Sequence, residues 1–214
     1  MDAGIARQGI FDKNCDLFGY ELLFRCGKSN VFPNVDGNMA TQAVLDMTFN
    51  TTATQTNFIS KGFPCFVNFS HKSITDCNPS KFPQSQLVFE ILESCDIDGT
   101  LIATIRELRR KGFLIAFDDF QPTRSWLDIL PLADIVKIDF SALSSSTILQ
   151  LLRLIPKDRK CKLLAEKLEN QAEVDQALSL GFDLFQGYAL HRPENLSLSK
   201  AEASEAVTWV RTSD

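Results

Sequence analysis

Residues 99–120 read GTLIATIRELRRKGFLIAFDDF. The first half places apolar residues at 101, 102, 105 and 108, one face of an α-helix, and Gly112 is a natural C-terminal stop. The second half sets four mostly apolar residues in front of Asp118 and Asp119, the pattern of a buried strand. Two adjacent carboxylates at such a strand end repel each other and are costly to desolvate. Either the chain leaves the core there in an ordinary loop, or the pair serves a divalent metal.

Strand and helix alternate outward from this stretch in both directions. LVFEILE (87–93) precedes the helix, and ADIVKIDF (133–140) follows after a short apolar helix around 125–132. MATQAVLDMTFNTTATQ (39–55) is predicted as one helix and PCFVNFS (64–70) as a strand. STILQLLRLI (146–155) predicts a helix, KLLAEKLE (162–169) a strand, NQAEVDQALSLG (170–181) a helix closed by Gly181, and FDLFQGY (182–188) a strand. SKAEASEAVTWVRT (199–212) predicts a terminal helix. The opening IARQGIFDKNCDLFGYELLFR (5–25) differs: two β-like runs flank a turn-rich Asp-Lys-Asn-Cys-Asp, as in an antiparallel hairpin.

Repeated strand–helix units imply a mainly parallel sheet with helices outside it. The candidate strands number about eight, and 214 residues is near the lower limit of a (β/α) barrel, about 200. A doubly wound open sheet usually carries a Gly-rich phosphate turn, and none is present. The predicted class is α/β, a TIM-like (β/α) barrel, mainly parallel, with one antiparallel strand from the N-terminal hairpin. With no interior linker, residues 1–214 are expected to form a single domain.

Lys and Arg total 22 against 27 Asp and Glu, a net charge of −5, which argues against a surface for a DNA or RNA duplex. Cysteines 15, 26, 65, 77, 95 and 161 form no C-x-x-C pair and read as reduced thiols of a cytoplasmic protein. The N-terminus has no apolar segment of signal-peptide length and no run approaches a membrane span, so no membrane contact is expected from this chain.

Core packing does not explain the residues near the strand ends: Glu21, Asn68, Glu90, Asp118, Asp119, Lys137, Glu166 and Gln186. Strand ends at one rim of a barrel converge on one pocket. Period two places Glu21, Leu23 and Arg25 on one face, able to meet one ligand. Taken singly, such residues are ordinary caps, turns or solvated edges; the ordered set is what points to a site. Its carboxylates would repel one another without counterions, and all-oxygen donors suit hard divalent cations such as Mg²⁺ or Mn²⁺. Adjacent aspartates can serve two metals about 3.5–4 Å apart, an arrangement suited to displacement at phosphorus.

These residues resemble the EAL domains, bacterial barrels that hydrolyse cyclic di-GMP to the linear dinucleotide pGpG. ELLFR (21–25) matches the signature Glu-Ala-Leu-x-Arg with Leu22 at the alanine. VNFS, FEILE, DDF, VKID, AEKLE and QGY follow in family order, the match running from about residue 5 to Pro193. The opening ARQGIFDKNCDLFGYELLFR is more specifically similar to EAL domains that precede an HDOD domain, although no HDOD domain is expected within these residues.

The resemblance implies roles. Glu21, Asn68, Glu90, Asp118 and Asp119 would hold two metals, Mg²⁺ or Mn²⁺. Glu166 would help hold or activate the attacking water, as second-metal ligand or general base; Lys137 would orient that water or stabilise charge developing on the phosphate, and Gln186 would complete the catalytic shell. Arg25 and Gln8 would contact the substrate, and Glu93 would anchor the loop after the double aspartate. Homodimerisation through that loop, or a protein partner, would accompany cyclic di-GMP binding. The loop itself departs from the family's DDFGTGYSS: here it reads DDFQPTRSW, with Gln121 and Thr123 in place of glycines and Pro122 stiffening the backbone. Gly9 also replaces the usual proline after Gln8. Two readings stand at this point. One is a metal-dependent phosphodiesterase; the other is an inactive EAL domain serving as a cyclic di-GMP receptor or protein-interaction module. His71, His191, Trp126, Trp209 and most of the seventeen phenylalanines read as structural.

Overall fold

The computed structural model describes residues 3–26, 35–156 and 159–197. It opens on the hairpin of β1 (Ala3–Asp12) and β2 (Leu17–Cys26), paired antiparallel with Gln8 opposite Glu21. The connection is fastened by Asp12, whose Oδ1 accepts the backbone N–H of Asn14 and Asp16, while Cys15 takes a left-handed φ of 62°.

From β2 the sheet continues in parallel through β3 (Cys65–Phe69), β4 (Leu87–Ile91), β5 (Leu114–Phe117), β6 (Ile135–Asp139), β7 (Lys162–Glu166) and β8 (Leu184–Phe185). β1 lies antiparallel between β8 and β2 and closes an eight-stranded barrel; β9 (Glu194–Leu196) adds outside it on Ile5–Arg7. The expected TIM-like barrel with one inverted strand is therefore the observed fold.

Helices fill the connections: α1 (Gly37–Phe49), α2 (Ala53–Ser60), α3 (His71–Thr75), α4 (Gly99–Arg110), α5 (Arg124–Ile129), α6 (Ser145–Leu154) and α7 (Gln171–Ser179). In α4 the predicted face packs inward through Leu101, Ile105 and Leu108, Asp98 caps the start and Gly112 turns the chain at φ 90°. Each such side chain contributes roughly 1.5–3 kcal/mol by leaving water.

The single helix expected over 39–55 is instead two. Thr52 is extended and its Oγ1 caps α2 by accepting from Gln55 N, and α2 returns side-chain donors to the last carbonyls of α1. Gln55 Nε2 reaches Met47 O at 2.9 Å and Thr56 Oγ1 reaches Thr48 O at 2.7 Å. FDLFQGY yields a strand of only two residues. α3 and β9 have no clear sequence signal: one is a single turn capped by Ser70, the other pairs only because β1 is already in place. The predicted helix at 199–212, with Trp209, lies outside the described residues. All six cysteines are unbridged. Among the described residues no helix is long and apolar enough to cross a membrane.

The core has two layers. Helices pack on the outside of the barrel, with Phe69, Phe89, Phe117 and Trp126 in that cluster. Inside the barrel a smaller cluster plugs one end: Ile10, Phe66, Val88, Ala116, Ile135, Leu164 and Leu184, one per strand, with Phe18 of β2 against them.

Candidate active site

The plug dictates the site. Side chains two positions apart on a strand point the same way. Two residues beyond the plug residues of β3 to β7 stand Asn68, Glu90, Asp118, Lys137 and Glu166; Gln186 stands two beyond Leu184 of β8. On the inverted β1 the step runs backward, from Ile10 to Gln8, whose partner on β2 is Glu21. An apolar layer is thus followed by a polar one at the mouth of the barrel.

Lys137 is its hub. Its side chain is 1 % exposed, and Nζ lies 2.7 Å from Asp118, 3.1 Å from Glu166 and 3.5 Å from Glu21 and donates a short hydrogen bond to Glu90. Glu21 accepts from Asn68 Nδ2 at 3.3 Å and Gln186 Nε2 at 2.7 Å. Gln186 also reaches Gln8 Oε1 at 3.3 Å, and Gln8 Nε2 donates to the backbone of His191 at 2.9 Å. Above them opens a cavity of about 380 Å³, walled by Arg25, Leu23, Tyr188 and Lys167 among others. Glu21, Leu23 and Arg25 do share its wall, as period two requires.

Four carboxylates face one ammonium, and the proton affinities reflect the shortfall. Burial drives the Glu90 carboxyl well above the ordinary range despite Lys137, and burial pushes Glu166 to about 8. Burial also raises Asp118, but the ammonium outweighs it and the net shift is downward. Lys137 shows the converse: burial lowers its affinity for a proton, and the surrounding carboxylates more than reverse that.

The donor set fits a hard cation. Asn68 Oδ1, Glu90 Oε2, Glu166 Oε1 and Gln186 Oε1 are buried oxygens without a hydrogen-bond donor. Buried acceptors are seldom left so, and an ion is one thing that satisfies them. Beside this inner group lies an outer one, in which oxygens of Glu93, Asp118 and Asp119 fall within 4.8 Å of one another. Asp118 belongs to both.

Residues 34–193 match the EAL domain family. This chain belongs to that family. Among curated proteins it is 36% identical over 192 residues to the cyclic di-GMP phosphodiesterase CdgJ of Vibrio cholerae, covering 89% of this chain and 44% of that protein. It is 35% identical over 205 residues to YuxH of Bacillus subtilis, covering 92% and 49%. The chain thus spans about half the length of these curated relatives. Among solved structures, an EAL domain protein from Listeria monocytogenes superposes with a TM-score of 0.69 at 21% identity over 90% of this chain and 89% of that one, a likeness of fold.

Within this EAL domain the departures from the family pattern have local explanations. Gly9 donates its N–H to His191 Nδ1 at 3.0 Å, a bond proline could not make, and a Cβ at Gly9 would come 2.8 Å from the Phe11 ring. His191 is engaged there and His71 pairs with Asp98 at 3.1 Å, both away from the carboxylate ring. In the DDFQPTRSW loop, Asp119 supplies the left-handed turn at φ 40°, Thr123 caps α5, and Phe120 is buried edge-on to Trp126. Gln121 and Pro122 line a cavity with Glu93 and Asp139.

Gly187 holds Gln186 in place by close approach. A Cβ there would stand 2.1 Å from Leu168 O and 2.2 Å from Leu168 N, the segment that follows Glu166. Gly187→Ala is therefore expected to cost about 1–3 kcal/mol, the usual range for overpacking. A urea unfolding curve superimposable on the parent's would show that the two segments can part freely.

Sequence reading missed Asp139 and Lys167. Asp139 could have been found, since it lies two residues past Lys137 and shares its face. Lys167 follows an inward-facing Glu166 and should point outward by strict alternation; a left-handed backbone at φ 58° returns it to the rim, where it bridges Asp119 and Asp139.

Proposed function

We propose that this chain is a metal-dependent cyclic di-GMP phosphodiesterase of bacterial second-messenger signalling, acting in the cytoplasm. The observation that carries this reading is the ring of Glu21, Asn68, Glu90, Asp118 and Glu166 about Lys137, with four buried oxygens lacking donors. CdgJ, named for that activity, supports it, as does YkuI of Bacillus subtilis, solved in complex with cyclic di-GMP and calcium and superposing with a TM-score of 0.69 at 21% identity over 99% of this chain and 61% of that one. We take residues 1–214 as one EAL-type barrel domain. Homodimerisation or a protein partner at the 118–126 loop remains part of the proposal.

Two divalent cations, Mg²⁺ or Mn²⁺, would be held by Glu21, Asn68, Glu90, Asp118 and Asp119. When bound, they supply Lewis-acid activation of water and neutralise phosphate charge. The chain's own groups do the rest. Arg25, 8 % exposed and with its Nε unpartnered, can donate to a phosphate oxygen. Lys137 stabilises negative charge developing beside Asp118 and Glu166. Glu166, 3.1 Å from Lys137 and with Oε1 free of any donor, is placed to take a proton from the attacking water once bound cations offset the burial that raises its carboxyl. Gln186 and Gln8 hold Glu21 in register, and Glu93 borders the loop. The P–O3′ bond of one linkage breaks as the water oxygen bonds to phosphorus, and the proton lost by the water is balanced by one taken up by the leaving 3′-oxygen, giving pGpG with a 5′-phosphate and a 3′-hydroxyl.

The test is incubation of the purified chain with cyclic di-GMP in Mg²⁺, Mn²⁺ or EDTA, followed by chromatography. Linear pGpG is expected only with metal. A second reading, a receptor that binds without hydrolysis, is favoured by the engagement of Asp119 with Lys167; intact nucleotide bound in every condition would establish it. Arg25→Ala is expected to raise KM about tenfold or more, with a smaller change in kcat, the loss of one charged hydrogen bond. An unchanged KM would place the phosphate elsewhere.

A further inference from the structure

We propose that Lys167 is a tethered cation standing at the outer half of the metal site, so that this chain binds one divalent cation tightly and a second only weakly. The inference rests on the reading of the rim as a metal site and concerns how that site is filled.

Asp119 follows β5 and Lys167 follows β7, and both take left-handed backbones, at φ 40° and 58°, which side chains other than glycine seldom adopt. The two turns face each other across the end of β6. There Lys167 Nζ lies 3.0 and 3.2 Å from the two oxygens of Asp119 and 2.6 Å from Asp139 Oδ2. Asp139 is fixed in turn, its Oδ1 accepting from Ser141 N, Ser141 Oγ and Ala142 N at 2.6, 2.7 and 3.0 Å. A strained backbone that persists needs compensating contacts, and the ammonium makes three.

The two halves of the rim differ in what they lack. Among the described residues, the buried rim oxygens without donors are those of Asn68, Glu90, Glu166 and Gln186, all in the inner group. Both oxygens of Asp119 already face an ammonium. A divalent cation arriving there would share that carboxylate with a positive charge and be repelled by it. The Lys167 side chain is 46% exposed, so the ammonium can be displaced into water. That makes the outer position weak rather than absent.

The experiment is titration of the full chain with Mn²⁺ alone, by calorimetry and by electron paramagnetic resonance of free Mn²⁺, for the parent, Lys167→Gly and Lys167→Arg. Glycine accepts the left-handed turn and arginine keeps the charge; Lys167→Gln, also charge-free, covers a glycine variant whose loop fails to fold by circular dichroism. We expect one tight site and a second at least about tenfold weaker in the parent. The second should tighten at least about tenfold in Lys167→Gly or Lys167→Gln and stay weak in Lys167→Arg, since the charge is what repels the ion. Two equally tight sites in the parent, or a single site in parent and charge-free variants alike, would overturn the role of Lys167 while leaving the metal site standing. No Mn²⁺ bound by any of them would remove the metal site itself, and this inference with it.

Discussion

Glu21→Ala is expected to lower turnover of cyclic di-GMP more than about a hundredfold. Replacing an outer partner of a metal already costs about 10–100-fold in metal affinity or activity, and Glu21 is proposed as a ligand itself. It also occupies the junction of the rim: Asn68 and Gln186 both donate to it, and Lys137 lies 3.5 Å away. Its loss removes one charge from an overcrowded set and leaves the plug below untouched. The metal-free protein should therefore unfold near its parent temperature, which separates a catalytic loss from a folding one. Parallel assays of pGpG release and thermal unfolding decide it; full turnover by a folded Glu21→Ala chain would refute the assigned site.

The second large effect is on stability. Lys137→Met should destabilise the metal-free chain by about 3 kcal/mol or more, because removing one member of a buried ionic group strands the others. For a chain of this size that is roughly 6 °C or more in Tm. Four carboxylates would then converge on a gap filled by an apolar side chain. Saturating Mn²⁺ should recover much of the loss in the variant and raise its Tm by more than it raises the parent's, since bound cations stabilise by mass action and here also replace the missing charge. Differential scanning calorimetry with and without Mn²⁺ reads both. Equal Tm values for parent and variant in EDTA would mean that the ring does not depend on its lysine.

Much of this was legible in the chain itself. Strand–helix alternation from 64 to 188, the Asp-Lys-Asn-Cys-Asp turn and the stops at Gly112 and Gly181 are local signals, set by side-chain period and by the left-handed turns that glycine accepts, and they suffice for a barrel with an inverted first strand. The ordered polar residues from Glu21 to Gln186 were legible too, because from β3 to β8 strand period two carries each apolar plug residue to a polar one at the mouth. What alternation could not convey is where the chain breaks its own period. Thr52 splits one predicted helix into two because its hydroxyl caps α2 while α2 supplies donors to the end of α1, a contact between elements. β9 exists only against a β1 already closed into the barrel. Asp119 and Lys167 reach each other through two left-handed turns separated by 48 residues, and the division of the rim into an inner group short of cations and an outer one already supplied follows from that meeting. Residue type and period act along the chain; the pairing of charges at the barrel mouth acts across strands, and only closure of the sheet brings them within reach.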